Sequence, residues 1–256
     1  MLLAIDIGNT NTVFALLVGQ EMKHSWRCKT ESARSADEYA VFLNQLFQIS
    51  KNTWKDISDV IVSSVVPESN FHIERFCQKY LNCTPFFVDA RTSHFTIDLE
   101  HPEEIGADRL VNAAAVLAYY QSPAIVIDFG TATTFDVIDE GGVYRGGVIA
   151  PGIKLSVEAL TARAAKLPRI SIEKPAKVIG KNTVSAMRSG MYWGYIGLIE
   201  TIVARIQSEL KKDNIFVLAT GGLAPLYAQS TDVIDEVDEN LIMKGLLAIH
   251  EESKRK

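Results

Sequence analysis

The chain has little cysteine: three residues in 256, too few and odd in number for a disulfide framework. Cys77 and Cys83 have five residues between them, not the two of a CxxC zinc or redox site. All three therefore read as reduced thiols, as in a cytoplasmic protein. The five histidines are scattered, with no HxxxH pair and none beside a cysteine pair, which argues against a zinc centre and a histidine-based triad. No run of about 18 apolar residues exists to span a membrane. The start, Met1 to Asp6, lacks a basic region, and Asp6 interrupts its apolar stretch, so no signal peptide is expected. Positive charge is not in excess either: 26 Lys and Arg against 31 Asp and Glu leave a formal charge of −5. Nucleic acid and anionic membranes need a dense basic face, so neither is an expected partner. The one basic cluster, Lys254, Arg255 and Lys256, reads as a frayed, solvated end. Two phosphate-site signatures are also missing. Gly147 to Lys154 lacks the adjacent Gly-Lys of a P-loop, and Gly180-Lys181 has Pro175 where the first P-loop glycine belongs. No GxGxxG follows a strand, which excludes the dinucleotide fingerprint.

What is present is an ordinary globular composition, 47% hydrophobic and 22% charged, able to bury a core. The length suits one large domain or two lobes of roughly 100–130 residues. Leu2 to Ile7, Val13 to Val18 and Met22 to Cys28 read as strands, with Gly19-Gln20 as a hairpin turn, and together form an antiparallel meander. A helix follows, with Ser35 as N-cap and Glu38 completing a capping box. Asp59 to Ser64 reads as a strand, Glu68 to Tyr80 as a helix, and Pro85 to Val88 as a short strand. Arg91 to Glu104 has no period and reads as a long loop, a candidate functional segment. Gly106 to Tyr120 is an alanine-rich helix. Strands at Ala124 to Ile127, Phe135 to Ile138 and Val143 to Ile149 then repeat the opening order. A long helix starts at Asn182 or Thr183 and runs to about Lys211. A strand at Ile215 to Ala219, a short helix from Leu223 and a last helix at Asn240 to Glu252 complete the chain.

One long-period duplication stands out. Asp6, Gly8 and Thr12 match Asp128, Gly130 and Thr134, 122 residues further on, and each set follows an apolar strand and precedes another. Two copies of one lobe are implied, over residues 1–118 and 119–256, with the last helix able to pack back on the first lobe. In each turn glycine permits close backbone approach, and Asn, Thr and backbone N–H groups form an anion-binding concavity suited to phosphate. Asp6 repels phosphate directly but can hold Mg²⁺ bridging to it. A third element, Thr220-Gly221-Gly222, runs from a strand into a helix and offers bare backbone against which an adenine ring could lie.

The three elements in this order resemble the actin-like superfamily of sugar kinases, acetate kinases and Hsp70-type ATPases. That resemblance implies an α/β fold of two duplicated actin-like (ribonuclease H-like) lobes, each a mixed five-stranded sheet flanked by helices, with the nucleotide in the cleft between them. A closer likeness adds Gly106-Ala107-Asp108-Arg109, the run Asp128 to Asp136, Gly146-Gly147 to Pro151-Gly152, and Gly180-Lys181-Asn182-Thr183 leading to Gly190. This set, over essentially the whole chain, resembles type III pantothenate kinase.

The resemblance implies a cytoplasmic homodimer that transfers the γ-phosphate of ATP, with Mg²⁺ and a monovalent cation (K⁺ or NH₄⁺), to pantothenate in the first step of coenzyme A synthesis. It implies ATP contacts from Asp6, Ile7, Gly8, Asn9, Thr10, Asn11, Thr12 and Val13, from Thr131, and from Gly221 and Gly222. Asp6 would serve Mg²⁺ through the phosphates, and Asp128 the monovalent cation. Asp108 becomes the base that accepts the hydroxyl proton; it also sits in a first helical turn, where the macrodipole favours its charged form. Gly106, Ala107, Asp108, Arg109 and Thr183 would contact pantothenate. Arg109 suits its carboxylate or an ion pair with Asp108 or Glu104, and Thr183 equally suits a helix N-cap. The family usually carries a pantothenate-contacting Tyr seven residues before Gly106; here Leu99 stands there. Asp136 is left without a role beyond a structural carboxylate. Gly190, Gly194 and Gly197 share one helical face and call for a close contact, inside the chain or across the dimer. The competing readings are a kinase for another small hydroxyl or carboxylate substrate, against which stands the greater length that sugar kinases usually have, and a non-enzymatic nucleotide-binding regulator, which could lose Asp108 and the Thr-rich turn.

Overall fold

A computed structural model describes residues 1–164 and 166–255; Lys256, the end of the basic cluster and of the second lobe drawn above, lies outside the described residues. The chain divides into two units, Met1–Tyr120 joined by the segment from Leu241 onward, and Gln121–Asn240.

The first unit is built on β1 (Leu2–Ile7), β2 (Asn11–Val18), β3 (Glu21–Lys29), β4 (Asp59–Ser64) and β5 (Phe86–Phe87). Their order is β3-β2-β1-β4-β5, with β1 antiparallel to β2 and parallel to β4. Strand β1 is apolar on every residue before Asp6 because both faces of the sheet are covered. Leu3, Ile5 and Ile7 enter a core with Tyr39, Leu43 and Phe47 of α1 (Ala36–Ile49) and Ile73 and Phe76 of α2 (Pro67–Phe76). Leu2 and Ala4 enter another with Leu110 and Val111 of α3 (Ala107–Tyr119). The Ser35 capping box forms: the Glu38 N–H donates to the Ser35 hydroxyl, and the Glu38 carboxylate accepts from the Ser35 N–H at 2.8 Å. Helix α2 ends earlier than its sequence suggests. A wider π-helical turn, Cys77–Leu81, follows it, and Asn82 stops that turn at φ +53°.

The second unit repeats the plan with β6 (Ala124–Phe129), β7 (Ala132–Ile138), β8 (Tyr144–Pro151), β9 (Phe216–Thr220) and β10 (Glu236–Val237). The order β10-β9-β6-β7-β8 is the first sheet's order in mirror listing, with β6 antiparallel to β7 and parallel to β9. Helix α4 (Ile153–Arg163) follows β8 and buries Ile153 and Val157. Ile125, Ile127 and Phe129 pack against Tyr192, Ile196 and Ile199 of α5 (Thr183–Leu210) and Tyr227 of α6 (Ala224–Ala228). The last helix, α7 (Leu241–Ser253), belongs to the first unit: a Cβ on Gly245 would stand 1.9 Å from the Val111 carbonyl oxygen, so only glycine lets α7 and α3 meet this closely. Of the basic cluster expected to be a frayed end, Lys254 pairs its Nζ with Asp59 at 2.7 Å. Among the described residues no helix is long and apolar enough to cross a membrane.

Candidate active site

In the first unit β1 and β2 register Asp6 opposite Val13 and Ile7 opposite Thr12, which places Gly8 to Asn11 in the turn. The Gly8 N–H donates to the Asn11 carbonyl at 3.0 Å, and a Cβ on Gly8 would press to 3.2 Å on that oxygen. Asn9, Thr10 and Asn11 are exposed, and Asp6, Gly8 and Val13 are half-buried. Ile7 and Thr12 are fully buried, so neither side chain faces outward; Ile7 offers backbone only.

The same edge of the sheet carries the Gly106–Arg109 segment. The Val65 N–H, just past β4, donates to the Ile7 carbonyl at 3.0 Å. A Cβ on Gly106 would lie 3.6 Å from Val65 Cγ1 and 2.5 Å from Asp108 Oδ1. Asp108 and the first glycine turn therefore converge on the carboxyl ends of the neighbouring parallel strands β1 and β4. Asp108 Oδ1 accepts the Arg109 backbone N–H at 2.8 Å. Burial pushes the Asp108 carboxyl above the usual carboxylate range, against the pull of the Arg109 N–H and guanidinium. The macrodipole was expected to favour the charged form; desolvation outweighs it, which raises the carboxylate's proton affinity and suits a base. Ala107 is buried and Arg109 half-buried. Leu99 is half-buried in the long loop, which is pinned by Phe95 and Ile97 against the core that contains α3.

In the second unit Asp128 pairs in register with Thr134 on β7 and Thr220 on β9. Gly221 follows at φ +89°, and a Cβ there would stand 2.8 Å from both Asp128 Oδ1 and the Phe129 carbonyl oxygen. Gly222 is exposed, with open space where a Cβ would be. Gly152, the residue before α4, donates its N–H to the Thr131 carbonyl at 3.1 Å. The α4 N-terminus thus lies against the turn that presents exposed Gly130 and Thr131. The sequence signal for this role of Gly152 is the Pro151-Gly152 pair at the end of a strand. Asp136 is fully buried and accepts from Tyr144 Oη at 2.6 Å and Thr134 Oγ1 at 3.2 Å, a structural arrangement within the sheet.

Thr183 is placed elsewhere in the second unit. Asn182 is the N-cap of α5, its Oδ1 accepting the Ser185 N–H at 2.9 Å, so Thr183 has no capping duty. Exposed Thr183 lines an open groove of about 620 Å³ with Lys181, Asn182, Gly190 and Leu160. Beyond Gly190, Gly194 and Gly197 lies open space, so the compensating contact expected for these glycines is not made within this unit. Cys28, Cys77 and Cys83 are free thiols. Among the described residues no three His, Cys, Asp or Glu side chains gather as a metal cluster.

Two sheets of one topology, each carrying an Asp-x-Gly turn beside its central strand, define the actin-like fold class. A solved inorganic polyphosphate/ATP-glucomannokinase from Arthrobacter sp. strain KM shares the fold, with TM-score 0.52 and 14% identity, covering 100% of this chain and 99% of that one. A family model described as type III pantothenate kinase matches residues 2–205. A protein of that name from Paramagnetospirillum magneticum is 54% identical, over 98% of this chain and 96% of its own. Another from Rhodospirillum rubrum is 51% identical, over 98% of each. The chain belongs to the type III pantothenate kinase family and is an enzyme of the kinase class.

Proposed function

We propose that this chain transfers the γ-phosphate of ATP to the primary hydroxyl of pantothenate, the first step of coenzyme A synthesis. The observation that carries the reading is the convergence of Asp108 and the Asp6–Thr12 turn on one edge of one sheet. Phosphoryl transfer demands positioning and charge neutralisation more than covalent chemistry. Asp108 accepts the hydroxyl proton as the oxygen attacks. The exposed Asn9–Asn11 segment and Thr131 bind the triphosphate, the bare backbone of Gly221 and Gly222 takes the adenosine, and Arg109 clamps the pantothenate carboxylate.

Asp6, a half-buried carboxylate beside exposed Asn and Thr groups, fits the hard-oxygen chemistry of Mg²⁺ carried with the nucleotide. Asp128 Oδ1 sits in a cradle that a side chain at Gly221 would fill, which fits K⁺ or NH₄⁺. When bound, these cations offset the triphosphate charge, a need sharpened by a chain of net charge −5.

A homodimer completes the reading. The open face at Gly190, Gly194 and Gly197 is the proposed seam, with exposed Val178, whose carbonyl accepts from Ser189 Oγ, near its Gly190 end. The Thr183 groove beside that face would then be walled by the second subunit.

The test is ADP release with ATP, Mg²⁺ and pantothenate, with and without K⁺ or NH₄⁺, against a panel of sugars and acetate. Pantothenate-dependent turnover is expected; turnover with another acceptor alone overturns the assigned substrate.

A further inference from the structure

Thr30, the residue just past β3, reaches back to the first glycine turn with its side chain and its backbone. Its Oγ1 donates to the Gly8 carbonyl at 2.6 Å, and lies 2.9 Å from Thr12 Oγ1. Its backbone N–H donates to the Thr10 carbonyl at 3.0 Å. A hydroxyl has one proton, and the Gly8 carbonyl can only accept it. Thr12 must therefore be the donor in the Thr12–Thr30 pair. The result is a directed chain from the Thr12 hydroxyl to the Thr30 hydroxyl to the Gly8 carbonyl.

That chain fixes the plane of one peptide. The Gly8 carbonyl and the Asn9 N–H belong to the same planar trans unit, so they point in opposite directions. Holding the carbonyl toward Thr30 turns the Asn9 N–H away from Thr30, at a residue that is exposed. A carbonyl oxygen repels an anion and an N–H attracts one, so the setting of this plane decides whether the turn accepts phosphate. The backbone bond to Thr10 keeps the Thr30 hydroxyl in place for this task. Arg34, on the same connection, donates to Cys28 Sγ at 2.7 Å and stacks over Tyr39, holding the segment after β3 against the unit.

We infer that Thr30 is a positioning residue whose hydroxyl sets the Gly8–Asn9 peptide so that the Asn9 N–H faces the triphosphate of bound ATP. The inference rests on the proposed reading of this turn as a triphosphate site. It assigns Thr30 no contact with ATP itself.

The experiment compares Thr30→Val, Thr30→Ala and Thr30→Ser with the wild type in the full chain. ATP affinity is measured by calorimetry at 25 °C, alongside the KM values for ATP and for pantothenate. Melting temperature falls in Val and Ala on any account, because the Gly8 carbonyl and the buried Thr12 hydroxyl lose a partner. It is therefore not the discriminating readout. The expected result is ATP binding weakened about tenfold in Thr30→Val and Thr30→Ala, the scale of one misdirected hydrogen bond to an anion. The KM for pantothenate at saturating ATP stays unchanged, and Thr30→Ser stays close to wild type. Ala is smaller than Thr, so it serves if Val does not fold. Wild-type ATP affinity in folded Val or Ala, or equal loss in Ser, overturns the inference. A wild type that binds ATP but leaves pantothenate unmodified overturns only the assigned substrate. A wild type that does not bind ATP overturns the reading of the turn and this inference with it.

Discussion

Replacing Gly152 by alanine puts a methyl group where backbone already stands. The new carbon would lie 2.1 Å from the Thr131 carbonyl oxygen and 2.7 Å from that of Gly130, where ordinary contact begins near 3.4 Å. Neither obstacle is a side chain that can swing away, so the Gly130–Thr131 turn or the start of α4 must move by about 1 Å. Overpacking of this kind costs about 1–3 kcal/mol. For a chain of this size each kcal/mol lowers the melting temperature by roughly 2–4 °C. The larger effect falls on the reaction, because a displacement of about 1 Å at a positioning element costs on the order of 100-fold in rate. The assay is kcat/KM for ATP-dependent phosphorylation of pantothenate, with thermal melting on the same samples. Gly222→Ala is the control: it lies in the other glycine turn of the unit, where a Cβ meets nothing within 4 Å, and it is expected to melt like wild type. Gly152→Ala with lowered stability but undiminished kcat/KM would remove the Thr131 turn from the site. Undiminished stability as well would refute the close approach itself.

Asp108 gives a pH prediction with a definite sign. Its carboxyl is held above the ordinary carboxylate range by burial, so activity falls on acidification earlier than a solvated carboxylate would dictate, and Asp108→Asn removes that limb with a loss of about 10²–10⁴-fold in kcat. Because the folded pKa is raised, Asp108 contributes stability that is fully present below its unfolded pKa and lost as pH rises through the folded pKa. Asp108→Asn is therefore expected to melt higher than wild type near neutral pH, and a lower melting temperature would contradict the burial argument. Gly194→Leu adds bulk where the chain itself offers open space, so it is expected to keep the folded unit but shift the assembly toward monomer in sedimentation equilibrium; an unchanged mass would place the seam elsewhere.

The parts of the fold most legible in the sequence are those with local causes. Strand β4 runs over the residues its apolar run marks, Asp59–Ser64, and the Ser35–Glu38 pair starts α1 because a capping box needs only four consecutive residues. The 122-residue offset between the turns reappears as two sheets of one topology, since an Asp-x-Gly turn between antiparallel strands is a local feature in each copy. Helix α4 was not legible because it buries only Ile153 and Val157 and so carries no apolar stripe. The early end of α2 depends on Asn82 adopting a left-handed conformation, which the apolar spacing through Tyr80 does not reveal. At the candidate site, residue types and motifs were readable. The approach of Gly106–Arg109 to the first turn was not, since it is set by the parallel pairing of β1 and β4 across more than fifty residues. The direction of the Asp108 shift was also hidden, because a helix dipole is visible in sequence and burial is not. Thr183 shows a third limit: two adjacent residues can each cap a helix, and only the bond from Ser185 to Asn182 decides between them.

The most direct test of the central claim follows the phosphorus atom. Purified protein is incubated with ATP, Mg²⁺, pantothenate and K⁺ or NH₄⁺, and the products are resolved by ³¹P NMR and mass spectrometry. The account predicts one phosphorylated pantothenate, carrying the phosphate on its primary hydroxyl, for each ADP formed. ATP hydrolysed to free phosphate with pantothenate unchanged, under every cation tried, would contradict it.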